Sequence, residues 1–291
     1  MAKSASIGPK RISLSNRLTL APLAIWSILL VLTPNALMVV YSLWKSEDGV
    51  LNRVMSIDNY IEALTNPVAI SVLTRTIIVA LGASTLATLI AYPTAWFVVR
   101  RLSRRRLLAV LLVIVPLWIS FLIRVYSWKL VLGERGFINS TLLSLGLIDK
   151  PLTFMLYSSF AVFLTLTYVA IPFCFVSSYS ALERLPNSLL EASADSGATP
   201  IQTFRTVIWP LTRQGAAIGF SLALLLSCGD YLTPAMVGGL NGTMFGSLVI
   251  TQFGLTNNWP LGAAMSVILL LITAMFLAAL ARLTRTEGTL D

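Results

Sequence analysis

Residues 76–99 read TIIVALGASTLATLIAYPTAWFVV, an unbroken run without one charged side chain, closed by Arg75 on one side and Arg100 on the other. About 20 apolar residues in a helix cross the roughly 30 Å hydrocarbon core of a bilayer, so this run is long enough to span. Charge is likewise missing between Arg17 and Lys45, between Lys150 and Glu183, and between Asp230 and Arg282. The last of these is long enough for two elements. Turn formers divide it: Pro234, Gly238 and Gly239, Asn241 and Gly242, Gly254, Asn257 and Asn258 precede a fresh apolar segment near Trp259. Two shorter runs, Leu107 to Ile123 and Gln214 to Gly229, complete the set. The pattern predicts an all-α membrane protein with about six transmembrane helices, near 19–41, 76–99, 107–130, 154–180, 214–236 and 259–281. Whole-chain composition agrees, since 56% hydrophobic and 11% charged residues over 291 positions leave too little polar surface for a soluble domain.

Basic residues mark the side on which loops are retained during insertion. The N-terminal tail carries Lys3, Lys10, Arg11 and Arg17 without an acid, and the loop after the second span holds Arg100, Arg101, Arg104, Arg105 and Arg106. Arg184, Arg205 and Arg213 follow the fourth span, and Arg282 and Arg285 follow the last. All of these segments are expected inside, which puts both termini in the cytoplasm. The segments at 42–75 and 131–153 mix bases with Glu47, Asp48, Asp58, Glu62, Glu134 and Asp149 and are expected outside. Net charge of +9 is thus mostly topological, and a nucleic-acid footprint is not indicated. The first apolar run exceeds a secretory h-region and reads as an uncleaved span.

Residue usage removes whole classes of chemistry. Histidine is absent, which excludes histidine zinc sites, Ser-His-Asp triads and histidine proton relays. Cys174 and Cys228, the two cysteines, lie in apolar runs and read as buried thiols. The sequence has no Gly-x-x-x-x-Gly-Lys-Ser/Thr loop, so no nucleotide is held here in the P-loop manner. A self-contained secondary transporter would show internal repeats or several intramembrane charges, and neither is visible. An intramembrane hydrolase would need a nucleophile with an activating base, and lysine is absent from the spans except for borderline Lys129.

One polar island, residues 181–215, separates the fourth and fifth spans. Ser188 and Glu191 have capping-box spacing, Gly197 offers a left-handed stop, and Thr199, Pro200 and Gln202 spell a second helix start. Pro210 is expected to end that second short helix. Small Ala192, Ser193, Ala194 and Ala198 permit close approach of a partner, while Glu191 and Asp195 set carboxylates four residues apart.

The same residues carry a family resemblance. Glu191-Ala192-Ser193-x3-Gly197-x9-Val207-Ile208-Trp209-Pro210 resembles the EAA motif of binding-protein-dependent ABC importer permeases, with Ser193, Val207 and Trp209 replacing the usual Ala, Ile and Leu. The resemblance implies a type I importer transmembrane domain over 70–281 with coupling helices at 186–210. Residues 1–18 then form a cytoplasmic tail, 19–69 a first transmembrane helix and periplasmic loop, and 282–291 a second tail. It further implies that Glu191, Ala192, Ser193, Asp195, Gly197, Ala198, Pro200, Phe204 and Pro210 contact a separate ATPase subunit. That ATPase dimer would bind ATP and Mg, leaving this chain non-catalytic and without a cofactor. The other implied partners are a second homologous permease and a periplasmic substrate-binding protein, with the bacterial inner membrane as the setting.

Phe121-Leu-Ile-Arg-Val-Tyr-Ser-Trp128, Gly136-Phe-Ile-Asn139, Leu182-Glu-Arg-Leu-Pro186, Gly229-Asp-Tyr-Leu-Thr-Pro234 and Asn258-Trp-Pro-Leu-Gly-Ala-Ala264 are similar to the spermidine/putrescine permeases. Relatives of this type also import opines, other small amines and ferric iron. An ionisable residue within a span is expensive and is by default a functional candidate. Asp230 beside Tyr231 suits an ammonium group, and Arg124, Tyr126 and Trp128 sit at similar depth in the third span. An Asp230–Arg124 ion pair stays open as the alternative. Residues 243–256 are too short to span and are expected to form a periplasmic or re-entrant helix.

Overall fold

The computed structural model describes Pro22, Ile25, Trp26, residues 28–47 and residues 50–284. A π turn, Ile28–Leu32, leads into helix α1, Thr33–Ser42; the earlier part of the first predicted span lies outside the described residues. A short antiparallel hairpin follows, β1 (Lys45–Glu47) with β2 (Val50–Asn52), and then α2, Asp58–Thr65. Lys45 and Asp58 form an ion pair of 2.5 Å across this segment.

Helix α3, Pro67–Arg101, contains the whole charge-free run 76–99. Asn66 starts it, its side-chain oxygen accepting from the Val68 and Ala69 N–H groups, and Pro67 occupies the first turn. Thirty-five residues make it roughly 52 Å long, so it reaches well beyond the bilayer core. One face is a ladder of alanines, Ala80, Ala83, Ala87, Ala91 and Ala95, each fully buried. Small side chains let a neighbouring helix come close, and that neighbour is α7, Ser159–Glu183, which brings Ala170, Cys174 and Phe175 into the shared core.

The predicted third span is not one straight crossing. Helix α4, Arg106–Ile114, passes into a 3₁₀ turn, Val115–Trp118, and the chain then turns so that α5, Phe121–Leu132, and α6, Phe137–Ser144, run at 96° to it. Pro116 cannot donate into the helix ladder, and Ile119 adopts extended backbone, so the helix breaks there. Large side chains such as Leu107, Leu112, Leu271 and Met275 stay exposed, as a lipid-facing surface requires.

The fifth span also departs from its predicted limits. Helix α9 runs from Pro200 to Gly229, beginning fourteen residues earlier than expected and ending before Asp230. Pro210 does not stop it, because residues Phe204–Ile208 form a π turn in which the Trp209 N–H reaches Phe204 O. The wider turn accommodates a proline ring that an ordinary α ladder would reject. Two short elements follow, the π turn Pro234–Gly238 and α10, Phe245–Gly254, the latter matching the short helix expected at 243–256. Helix α11, Trp259–Thr284, closes the bundle against α1, α9 and α10. Among the described residues, α3, α7, α9 and α11 are each long and apolar enough to span, and the bent α4–α6 unit supplies a fifth crossing by length.

Close approach of α7 and α9 depends on Gly215 and Gly219, one turn apart. A β-carbon on Gly215 would stand 2.3 Å from that of Ala181, and one on Gly219 would stand 2.8 Å from the Cys174 α-carbon. Cys174 and Cys228 are buried in the helix bundle, as their apolar surroundings in the sequence suggest.

Candidate coupling surface and solute cavity

At the arginine-rich end of the bundle, α8, Asn187–Asp195, projects from α7 and folds back into α9. Pro186 in extended backbone takes the cap position, which puts Ser188 inside the first turn; the predicted Ser188–Glu191 capping box therefore does not form, and no side chain caps this end. The stop is as expected. Gly197 has φ of +77°, and the N–H groups of Gly197 and Ala198 return to Ala194 O and Ser193 O. The second start also holds, with Thr199 and Gln202 forming a complete capping box and Pro200 in the first turn.

This arrangement sorts the motif residues into two sets. Glu191, Ala192, Asp195, Gly197 and Pro200 are exposed on the outer side of the bend, and Ala198 is half-buried beside them. Ser193 is turned inward, its hydroxyl 2.9 Å from that of Thr203, so it ties α8 to α9 rather than facing outward. Phe204, which opens the π turn, and Trp209, which follows it, pack edgewise around Tyr92 of α3 at 6.3 and 5.7 Å. Pro210 lies half-buried behind them.

At the opposite end of α9, thirty residues and roughly 45 Å away, Asp230 leaves the helix. Its carboxylate accepts from the N–H groups of Leu232 at 2.8 Å and Thr233 at 3.1 Å, and from the Thr233 hydroxyl. Asp230 and Tyr231 line a cavity of about 400 Å³ together with Phe121, Leu166, Leu226 and Leu232. Tyr231 also borders a second cavity of about 350 Å³ on the side of α11, shared with Cys228, Val249 and Leu269. The result is an apolar chamber with one carboxylate in its wall.

Other predicted pathway residues are placed differently. Arg124 is buried, and its guanidinium lies 5.6 Å from the Phe121 ring. The ion pairs formed among the described residues are Lys45–Asp58 and Arg106–Glu183, so the Asp230–Arg124 pair that the sequence left open is not made. Trp128 lies edge-on to Tyr168 in the core, Tyr126 is half-exposed, and neither lines the two cavities. Phe121 is an aromatic wall residue that the sequence reading passed over, although it opens the Phe121–Trp128 stretch. Thr233, buried behind the wall, is the residue whose N–H and hydroxyl hold the Asp230 carboxylate, marked in advance only by its i+3 spacing from Asp230.

A bundle of apolar helices with lipid-facing leucines, a bent polar hook at one end and a chamber near the other is a multi-pass membrane permease. Residues 87–286 match the family described as binding-protein-dependent transport system inner membrane component. The chain belongs to that family, and it is a permease subunit of an ABC importer of the inner membrane. It is 35% identical over 261 residues to the spermidine/putrescine transport system permease protein PotB of Escherichia coli strain K12, covering 89% of this chain and 94% of that protein. The inner membrane ABC transporter permease protein YdcU of the same organism is 34% identical over 234 residues, 77% of this chain and 74% of that one. In fold it resembles a chain of the bacterial alginate ABC transporter solved with its alginate pentasaccharide-bound periplasmic protein, with a TM-score of 0.69, 15% identity and coverage of 93% and 95%.

Proposed function

We propose that this chain forms one half of the transmembrane path of a polyamine importer, carrying spermidine or putrescine by alternating access. A second homologous permease supplies the other half, a periplasmic binding protein delivers the solute, and a separate ATPase dimer binds ATP and Mg. The observation that carries the substrate class is the similarity to PotB along nearly the whole chain. The chamber is consistent with it, since a carboxylate beside an exposed aromatic ring attracts an ammonium group through charge and cation–π contact. In this reading the hook at 187–200 faces the cytoplasm, and Glu191, Ala192, Asp195, Gly197 and Ala198 seat in the ATPase. Ser193, Phe204 and Pro210 hold the hook in shape behind them. Closure of the ATPases moves the hook, and α9, continuous from Pro200 to Gly229, carries that movement to Asp230.

The test is purification of the assembled complex from its host, followed by ligand binding to the cognate periplasmic protein and uptake in proteoliposomes. Co-purification of a P-loop ATPase and ATP-dependent uptake of putrescine or spermidine are expected. A binding protein that ignores both amines and takes an opine, an amino-acid-like solute or ferric iron overturns the polyamine assignment. Uptake by this chain with no ATPase present overturns the coupling assignment.

A further inference from the structure

The joint between α7 and α8, residues 184–186, is gripped by two arginines that flank the loop between α3 and α4. Arg100, in the last turn of α3, donates one guanidinium N–H to Leu185 O at 3.1 Å and another to the Asn187 side-chain oxygen. Its guanidinium lies 5.2 Å from the Trp96 ring one turn earlier, which fixes its direction. Leu185 itself is buried in the core with Val98, Leu182 and Ile208. At the end of α7, Arg106 donates to Glu183 at 2.6 Å and lies over the Tyr179 ring at 5.0 Å. The two arginines thus hold the two sides of one joint.

We propose that Arg100 is a positioning residue for coupling, setting the angle of α8 relative to the bundle so that displacement of the hook is passed to α3 as well as to α9. Asn187 is the first residue of α8, and Leu185 stands on the other side of Pro186, the cap residue between them. Because the Leu185 bond fixes the guanidinium to the core side of Pro186 and the Asn187 bond holds the first residue beyond it, a tilt of α8 about Pro186 must stretch or break the Asn187 bond or drag Arg100 with it. Charge-assisted bonds from a planar, two-pronged donor resist such tilting in a way that one neutral bond does not. With the clasp in place α8 and α3 move as a unit; without it α8 swings on its own. This inference rests on the coupling reading of the hook given above.

The test uses the whole reconstituted complex and needs no knowledge of the solute. In a background carrying Cys174→Ala and Cys228→Ala, Tyr231→Cys places a single thiol at the far chamber. The reactivity of that thiol toward a membrane-impermeant maleimide is measured without nucleotide and after trapping with ATP and vanadate. Arg100→Ala is expected to retain the ATPase subunits and to hydrolyse ATP undiminished, while the ATP-dependent change in labelling of the chamber thiol falls about ten-fold, the scale of losing a charge-assisted bond. Arg100→Lys, which can reach one acceptor at a time, and the exposed Asn187→Ala, which leaves the Leu185 bond, are each expected to show an intermediate response. An unaltered labelling response in Arg100→Ala overturns the inference, as does loss of the ATPase subunits from that variant. A parent complex that hydrolyses ATP with no change in labelling of the chamber thiol sinks instead the coupling reading beneath it.

Discussion

The hydroxyl oxygens of Tyr92 and Thr212 stand 2.6 Å apart, joining the lipid-crossing helix α3 to α9 just past its π turn. Thr212 also donates to Ile208 O inside α9 at 2.7 Å, so the Tyr92 phenol is the donor to Thr212 and closes a short chain of bonds. Around it, the rings of Tyr92, Phe204 and Trp209 form one aromatic knot. The first turns of α9, just beyond the hook, meet α3 at this point.

Tyr92 therefore separates two contributions. Tyr92→Phe keeps the ring and leaves the Thr212 hydroxyl with its bond to Ile208, so it is expected to cost about 0.5–1.5 kcal/mol. Tyr92→Ala removes a ring that is 9% exposed and should cost about 3–5 kcal/mol, as deletion of a buried aromatic side chain does. Thermal unfolding of the purified complex in detergent orders the two variants. Equal melting points would mean that the ring contributes nothing to the joint.

Gly219 is a sharper case, because the obstruction is backbone. Gly219→Leu would drive side-chain atoms into the Cys174 α-carbon and carbonyl, which cannot rotate away. Helices α7 and α9 must then separate, and a loss of stability of about 1–3 kcal/mol or more is expected, the scale of overpacking a tight contact. Substitution of exposed Leu222 by Phe, one turn along on the outer side, should leave stability within about 0.5 kcal/mol. Comparable melting points for the two variants would contradict the tight α7–α9 contact.

Glu191 lies exposed on the hook and takes no part in a capping box, since α8 starts at Asn187 and not beyond Ser188. Its removal cannot unfold the helix through a lost cap. Glu191→Lys is expected to insert and fold as the parent does, yet to lose transport and release the ATPase subunits on purification. Membrane yield, subunit retention and uptake measure the three separately. Unchanged uptake would end its assignment to the ATPase contact.

How much of this was legible in the sequence differs from element to element for physical reasons. Charge-free runs located α3, α7 and α11, because lipid admits few alternatives to a long apolar helix. The Gly197 stop and the Thr199–Gln202 start were legible because both are local backbone chemistry. The break after Trp118 was not, since Leu107 to Ile123 is free of charge throughout and Pro116 signals a kink without its size. Nor was the passage through Pro210, where the reading that proline ends a helix gives way to a π turn whose aromatic partner, Tyr92, is over a hundred residues away. Ser193 tells the same story: spacing placed it in the motif, but only its contact with Thr203 reveals that it points inward. Ser193→Ala, which restores the usual motif residue, should cost about 0.5–1.5 kcal/mol and leave transport intact, as melting and uptake would show.

The Asp230 carboxylate has two jobs that one substitution can part. Leu232 and Thr233 donate backbone N–H groups to one oxygen, which builds the turn after α9, while the residue also lines the chamber with Phe121 and Tyr231 and gives it a charge. Asp230→Asn keeps an oxygen to accept those N–H groups and removes the charge. If the chamber handles an ammonium group, uptake should fall about ten- to hundred-fold, the worth of one hydrogen bond to a charged group, with the melting point little changed. Asp230→Ala loses the turn as well and should lower both. Thr233→Val, which removes the hydroxyl from the other oxygen, keeps the charge and should retain most of the uptake. Asp230→Asn transporting like the parent would show that the carboxylate serves the turn alone, and the solute would then have to be recognised elsewhere along the path.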